Sequence, residues 1–125
     1  MRRRISTGSP FEEAFGYSRS LVHGPWIFVS GTTGYDYSSM TMPEDPIAQA
    51  RNAWATITRV LEECGASLND IVRCHYYVTE RAFAEPVLTV CGTVLRDVRP
   101  AATLTVTGLL KPEMKVEIEV TALRA

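Results

Sequence analysis

The sequence predicts an α+β fold in which two helices cover one face of a mixed β-sheet. Apolar residues recur at intervals of three and four through residues 47–64, which is typical of a helix that buries one face. Residues 71–78 and 114–123 instead alternate between apolar and polar, as strands do when one sheet face is covered. Taken in chain order, the elements are predicted as β-β-α-β-α-β-β, in a single domain over residues 1–125.

The first two strands are predicted from a turn. His23-Gly24-Pro25 precedes the apolar run 26–30 at hairpin spacing, so residues 17–33 are expected to form two antiparallel strands, the first at about 16–22. Residues 1–15 show no periodicity and are expected to lack regular structure. Gly31, Gly34 and the polar run 35–42 are expected to form a loop.

The first helix has clear end signals. Asp45 can cap its N-terminus, Pro46 suits the first helical position, and Gly65 suits the position after its last turn. The residues of its inward face are Ile47, Ala50, Trp54, Ile57, Leu61 and Cys64.

The remaining elements follow from alternation and spacing. In strand 71–78 one face is predicted to carry Val72, Cys74, Tyr76 and Val78, and the other Arg73, His75 and Tyr77. A second helix is expected over residues 81–95 with Phe83, Val87, Val90 and Val94 inward, although Pro86 and Gly92 indicate a late start or a kink. Strands are then predicted over 101–107 and 114–123, the last directing Val116, Ile118 and Val120 inward and Lys115, Glu117, Glu119 and Thr121 outward.

Composition excludes several function classes. Thirteen basic and fourteen acidic side chains leave a net charge of −1, which argues against binding to nucleic acid or anionic lipid. No stretch approaches the roughly 20 apolar residues of a membrane span, so a cytoplasmic protein is expected. Three widely spaced cysteines without a Cys-x-x-Cys pair indicate neither disulfides nor zinc, and no metal or cofactor motif is visible.

The sheet face without helices is expected to be covered by self-association. It would carry charged side chains together with Tyr77 and the region 26–28, a broad mixed surface that a monomer would leave exposed.

Six short segments, in order and at matching spacing, resemble the RidA (YjgF/YER057c/UK114) family. They are Gly16-Tyr17-Ser18, Val29-Ser30-Gly31, residues 49–65, Asn69-Asp70-Ile71-Val72, Arg99-Pro100-Ala101-Ala102-Thr103 and residues 115–122. The resemblance implies a chorismate-mutase-like fold and a barrel-like homotrimer that binds a small molecule in clefts between subunits. It further implies that the cleft is lined by Tyr17, Gly31, Thr32, Ala102, Thr103 and Glu117. Glu117 is implied to hold or activate the water that attacks an imine carbon.

The sequence departs from the family pattern at Ala102, which precedes Thr103. Deaminating members have an arginine there, and its bidentate grip on a carboxylate is worth roughly 2–5 kcal/mol. Arg19, two residues from Tyr17, is a candidate substitute, and Arg73 and His75 are further candidates on a neighbouring strand. For each of these three, an ion pair at the surface or between subunits is the alternative interpretation.

The leading hypothesis is therefore hydrolysis of a small imine or enamine that is not a standard 2-imino acid, with Glu117 and Tyr17 as catalytic residues. The alternative is a trimer that binds a small molecule without catalysis. A third interpretation, endoribonuclease (L-PSP) activity or inhibition of translation, is disfavoured by the lack of a basic stripe.

Overall fold

A computed structural model describes residues 2–125 as one six-stranded sheet with three α-helices. The strands are β1 (Arg2–Ile5), β2 (Ser20–His23), β3 (Trp26–Thr33), β4 (Ile71–Val78), β5 (Ala101–Val106) and β6 (Val116–Leu123). The helices are α1 (Pro10–Phe15), α2 (Pro46–Glu63) and α3 (Ala84–Val94), with short 3-10 turns at Leu68–Asp70 and Arg81–Phe83.

The sheet has the order β1-β2-β3-β6-β4-β5. All neighbouring strands are antiparallel except β4 and β5, which run parallel and are connected through α3. The predicted α+β fold is confirmed, and β5 forms one free edge of the sheet.

The two long helices lie together on one face, as predicted. Asp45 caps α2 by accepting a hydrogen bond from the Ile47 amide, Pro46 begins the helix, and Gly65 follows its end with a φ of +75°. The core between helices and sheet includes Ile27, Ile57, Leu61, Ile118 and all three cysteines, which are unpaired and buried. Burial raises the pKa of the Cys74 thiol to about 11, which keeps it protonated at neutral pH.

The N-terminal prediction was wrong, because residues 2–15 contain both β1 and α1. Strand β1 pairs with β2, and α1 begins at a Ser9-Pro10 cap in which the Ser9 hydroxyl accepts from the Phe11 amide. Gly16 ends α1 with a φ of +75°, so β2 starts at Ser20 rather than near residue 16.

Two strands contain bulges that the alternation did not reveal. The β4–β6 register shifts between Ile71 and Arg73, which buries Ile71 and leaves Val72 exposed instead of inward. The β3–β6 register shifts between Val29 and Thr32, so Gly31 lies inside a bulged strand and not in a loop.

The loop after β3 has a polar sequence but buries two aromatic side chains. Tyr35 and Tyr37 are buried and form a second apolar cluster with Met114 and Phe11.

The second helix begins late, since a 3-10 turn covers residues 81–83 and Pro86 falls in the first turn of α3. Val87, Cys91 and Leu95 form its fully buried face, with Phe83, Val90 and Val94 packed beside them.

The face opposite the helices is uncovered in the single chain. Trp26 is 42% exposed and Phe28 46% exposed, and their rings stack with centroids 6.2 Å apart. Within residues 2–125, none of the helices has the length and apolar character that crossing a membrane requires.

Candidate functional site

Glu117 lies on the uncovered face, where its carboxyl contacts the bulge of β3. A Cβ built on Gly31 would stand 2.8 Å from Cδ of Glu117, so only glycine leaves room for this carboxyl in its present position. Burial raises the pKa of Glu117, the nearby Glu119 raises it further, and the charge of Arg19 acts against both. The structure therefore holds a half-buried carboxyl that ionises less readily than a free one.

A small cavity of about 110 Å³ opens beside this carboxyl. It is lined by Glu117, Gly31 and Tyr17 together with Phe15, Tyr37 and Leu110. Burial raises the pKa of Tyr17, while the adjacent Arg19 lowers it. Two predicted catalytic residues, Tyr17 and Glu117, thus line the same cavity.

Arg19 is near these residues but is only 1% exposed. Its Nη1 donates to the Gly31 carbonyl oxygen at 2.6 Å and to Thr32 Oγ1 at 3.2 Å. Its guanidinium carbon lies 4.8 Å from the ring centroid of Tyr37 and 5.7 Å from that of Tyr17. The guanidinium therefore fixes the bulge that carries Gly31, behind the residues that line the cavity.

Glu12 is the counter-charge of Arg19 and was not found from the sequence. Its Oε2 lies 3.6 Å from Arg19 Nε, and both side chains are almost fully buried. Burial alone would raise the pKa of Glu12, but hydrogen bonds from Thr7 and Ser6 and the charge of Arg19 lower it below the usual value. The only available signal was the Ser9-Pro10 cap, which places Glu12 and Glu13 in the first turn of a helix.

Thr32, Arg73 and His75 have separate surroundings. Thr32 is fully buried, and its hydroxyl donates to the Ser30 carbonyl oxygen at 2.8 Å. Arg73 and His75 lie on β4, next to β5. Arg73 contacts Thr103 at 3.4 Å, and His75 contacts Thr105 at 2.8 Å. Thr32 thus lies near Arg19, whereas Arg73 and His75 lie apart from it, beside β5.

On β4 and β6, Tyr77 connects His75 to Glu119. The His75 and Tyr77 rings stack with centroids 4.3 Å apart, and the Tyr77 hydroxyl donates a short hydrogen bond to Glu119. This bond, with burial, raises the pKa of Tyr77 to about 12. It fixes Glu119, which in turn raises the pKa of Glu117.

Ala102 lies on the opposite face of the sheet from Glu117. It is paired with Cys74, which is buried under the helices, whereas Glu117 is paired with Tyr77 on the uncovered face. Ala102 lines a groove of about 450 Å³ between α3 and β5, together with Tyr76, Leu88 and Leu95. One chain therefore does not bring Ala102 and Glu117 to the same pocket.

Within residues 2–125, no group of three or more histidine, cysteine, aspartate or glutamate side chains is arranged to hold a metal ion.

Comparison with known proteins identifies relatives along the whole length. The family model described as Endoribonuclease L-PSP matches residues 7–124. An uncharacterized protein of Streptomyces coelicolor, SCO2049, is 29% identical over 123 residues, which cover 98% of this chain and 92% of that protein.

Solved structures agree with this match. Rv2704 of Mycobacterium tuberculosis, described as a member of the highly conserved YjgF/YER057c/UK114 family, is 38% identical with a TM-score of 0.89, covering 98% of this chain and 99% of that one. A protein of Thermotoga maritima described as a putative endoribonuclease is 26% identical with a TM-score of 0.89, covering 100% of this chain and 99% of that one. The chain therefore belongs to the Endoribonuclease L-PSP (YjgF/YER057c/UK114) family.

Proposed function

We propose that this protein hydrolyses a small imine or enamine that is not a standard 2-imino acid, in clefts between the subunits of a cytoplasmic homotrimer. The observation that carries the proposal is the half-buried Glu117 carboxyl, which lies against Gly31 and shares a cavity with Tyr17. Ionisable groups with perturbed pKa values in a cavity are typical of catalytic sites.

The proposed reaction adds water across the carbon–nitrogen double bond. The Glu117 carboxylate accepts a proton from water while the water oxygen bonds to the imine carbon, and the nitrogen gains a proton from Tyr17 or from solvent. Glu117 then returns its proton to the nitrogen of this intermediate, the carbon–nitrogen bond breaks with its electron pair leaving on ammonia, and the hydroxyl proton passes to Tyr17 or to solvent, which leaves a carbonyl compound. A pKa raised above its usual value suits Glu117 to accept and return the proton.

The homotrimer is supported by the two faces of the sheet. The exposed Trp26 and Phe28 give the uncovered face an apolar area that a second copy can cover. Ala102 and Glu117 lie on opposite faces of one chain, so a cleft containing both positions has to draw them from neighbouring subunits.

The choice of substrate is supported by position 102. We infer that Ala102 replaces an arginine that other members use to grip a carboxylate, since the Arg99-Pro100-Ala101-Ala102-Thr103 segment otherwise matches their pattern. Arg19 is a weak substitute for direct binding, because its side chain is 1% exposed and its Nη1 already donates to Gly31 and Thr32. Its buried Nε lies 3.6 Å from Glu12 and has no hydrogen-bond partner among residues 2–125. We accordingly place Arg19 as an electrostatic neighbour of Glu117.

The proposal is tested by following imine hydrolysis. A 2-imino acid is generated by an amino-acid oxidase and trapped with semicarbazide, in the presence of the native protein, Ala102→Arg or Glu117→Gln. We expect little acceleration by the native protein and a clear gain for Ala102→Arg. Rapid removal of the imine by the native protein would contradict the altered substrate class.

The same assay distinguishes the alternative of a trimer that binds without catalysis. If Ala102→Arg is also inactive, the binding alternative is favoured. If Ala102→Arg is active, the double variant with Glu117→Gln is expected to lose that activity. Size measurement in solution tests the assembly separately, and a stable monomer would exclude a cleft shared between subunits.

A further inference from the structure

Two glutamates occupy successive outward positions of β6 but have different partners. Glu117 is paired with Tyr77 of β4, and Glu119 is paired with His75. Residues two apart on a strand point to the same face and are separated by roughly 7 Å. The carboxyl of Glu117 lies towards β3, where it contacts Gly31, whereas the carboxyl of Glu119 accepts a hydrogen bond from β4. The two carboxyls are therefore turned to opposite sides of one strand.

Tyr77 is the residue that separates them. Its hydroxyl donates to Oε1 of Glu119, its diagonal neighbour, rather than to its direct partner Glu117. The hydrogen bond to Glu119, together with burial, raises the pKa of Tyr77 to about 12, so the hydroxyl remains a donor at neutral pH. A hydroxyl that donates to a carboxylate stabilises its charged form. Tyr77 thus both places the Glu119 carboxylate and favours its negative charge.

His75 limits the positions that the Tyr77 ring can take. The two rings are stacked with centroids 4.3 Å apart and planes only 7° from parallel. The His75 ring is itself held from the other side, since its Nε2 lies 2.8 Å from Oγ1 of Thr105 on β5. All of these contacts are within one chain, so they do not depend on whether the uncovered face is open or covered.

The charge of Glu119 is not neutralised by an ion pair within the chain. Among residues 2–125 the one salt bridge joins Arg19 and Glu12. Glu119 accordingly disfavours ionisation of Glu117, and Arg19 acts in the opposite direction. The charged and titratable side chains that face the two carboxyls from other elements are Arg4, Tyr17, Arg19, Tyr37, His75 and Tyr77.

We propose that Tyr77 is a positioning residue for the proposed reaction, in which its hydroxyl holds the Glu119 carboxylate as a fixed negative charge beside Glu117. This inference deepens the proposed function and rests on it for the role of Glu117 in the reaction. A fixed like charge makes Glu117 hold its proton more tightly, which suits a group that takes up a proton and returns it. Tyr77 acts through Glu119 and is not itself a catalytic residue.

The test measures the pKa of Glu117 by carbon-13 NMR in the native protein, Glu119→Gln and Tyr77→Phe. Glu119→Gln removes the negative charge. Over roughly 7 Å this should weaken the hold of Glu117 on its proton by about threefold, even at the dielectric constant of water. Tyr77→Phe keeps the ring that stacks on His75 but releases Glu119, so a smaller change in the same direction is expected. An unchanged or higher pKa of Glu117 in either variant would overturn the proposal.

The double variant Tyr77→Phe with Glu119→Gln distinguishes positioning from packing. If Tyr77 acts only through the charge of Glu119, its substitution has no further effect once that charge is absent. A shift of the Glu117 pKa by Tyr77→Phe that is equally large in both backgrounds would overturn the proposal. Tyr35→Phe is the matched control, since it removes a hydroxyl that donates to Glu113 at 2.6 Å, and it should leave the pKa of Glu117 unchanged.

A kinetic measurement connects the positioning role to turnover. If Ala102→Arg hydrolyses the imine, adding Tyr77→Phe should move the acidic limb of its rate–pH profile to lower pH and leave KM nearly unchanged. Hydrolysis with an unchanged profile and an unchanged Glu117 pKa would overturn the role of Tyr77 and keep the proposed function. A lowered Glu117 pKa in both variants, without hydrolysis by the native protein or Ala102→Arg, would support the electrostatic arrangement and exclude the proposed function.

Discussion

Arg19 and Arg99 place the same side chain in opposite situations. Arg19 is 1% exposed, is paired with Glu12 and donates to the backbone of the Gly31 bulge. Arg99 is exposed, has no ion-pair partner among residues 2–125, and occupies a backbone conformation that favours glycine. The first stabilises the fold around the catalytic candidate, whereas the side chain of the second contributes no ion pair within residues 2–125.

This difference shows why the charge of a residue is a poor guide to its role. A buried guanidinium repays its lost hydration only through its partners, so it cannot exchange them for a substrate without a large loss. An exposed guanidinium retains its hydration until a ligand arrives. The role of Arg19 is therefore to stabilise the geometry of Gly31, against which the Glu117 carboxyl lies.

The largest expected effect comes from removing the counter-charge of Arg19. Glu12→Gln leaves a buried guanidinium without its carboxylate and is expected to lower the free energy of unfolding by about 3–5 kcal/mol. Urea denaturation measures this, with the exposed neighbour Glu13→Gln as the matched control. Because the pKa of Glu12 is lowered in the fold, the contribution is present above its unfolded pKa and is lost as the pH falls through the folded value.

The double variant Glu12→Gln with Arg19→Met sharpens this test. It removes both charges, so it is expected to recover part of the stability that Glu12→Gln loses. A loss equal to the sum of the two single variants would contradict the ion-pair explanation.

Two glycines near the end of β3, Gly31 and Gly34, are expected to respond differently to substitution. A Cβ at Gly34 would stand 2.5 Å from the backbone Cα of Gln49, which cannot move, so Gly34→Ala should cost about 1–3 kcal/mol. Gly31→Ala meets only the Glu117 carboxyl, which can rotate away, and should cost less than Gly34→Ala. Thermal unfolding compares them, with the uncrowded Gly108→Ala as control. A greater loss for Gly31→Ala would contradict this packing.

Arg99→Gly is expected to be neutral or to stabilise the protein by up to about 1 kcal/mol. Glycine relieves the strain of a positive φ, and no intramolecular contact of the Arg99 side chain is lost. Thermal unfolding measures the change, and Arg96→Gln controls for the loss of one charge. A marked destabilisation by Arg99→Gly would show that this arginine supports the fold as Arg19 does.

Much of the fold was predictable because its signals are local. The Asp45-Pro46 cap and the apolar stripe of α2 are carried by adjacent turns, and the alternation of β6 records directly which face is buried. The same type of cap, Ser9-Pro10, begins α1, but that helix has only six residues and is too short to show a stripe. Strand β1 and helix α1 were therefore missed.

The site was less predictable because its contacts connect distant segments. Glu117 and Tyr17 were chosen by resemblance, but the burial of Arg19 depends on Glu12 from α1 and on Tyr37 from the loop after β3. The face of Ala102 depends on its register with Cys74 across a parallel pair, which the sequence of an edge strand does not encode.

The ionisation of Glu117 gives the smallest stability effect and the sharpest contrast with Glu12. Its pKa is raised in the fold, so the native protein loses stability as the pH rises from the unfolded towards the folded pKa. Glu117→Gln should therefore be more stable than the native protein at neutral pH, with no difference in acid. Unfolding of both proteins across this pH range measures the trend. A native protein that is more stable at neutral pH would reverse the sign.

An NMR titration of the Glu117 carboxyl carbon, assigned by comparison with Glu117→Gln, shows directly whether this carboxyl holds its proton more tightly than a free one. The protein is labelled with carbon-13 in its glutamates and titrated through the acidic range. A pKa above the usual 4.5 is expected, since burial and Glu119 both disfavour the charge. A pKa at or below 4.5 would contradict the claim that this carboxyl is held in readiness for proton transfer.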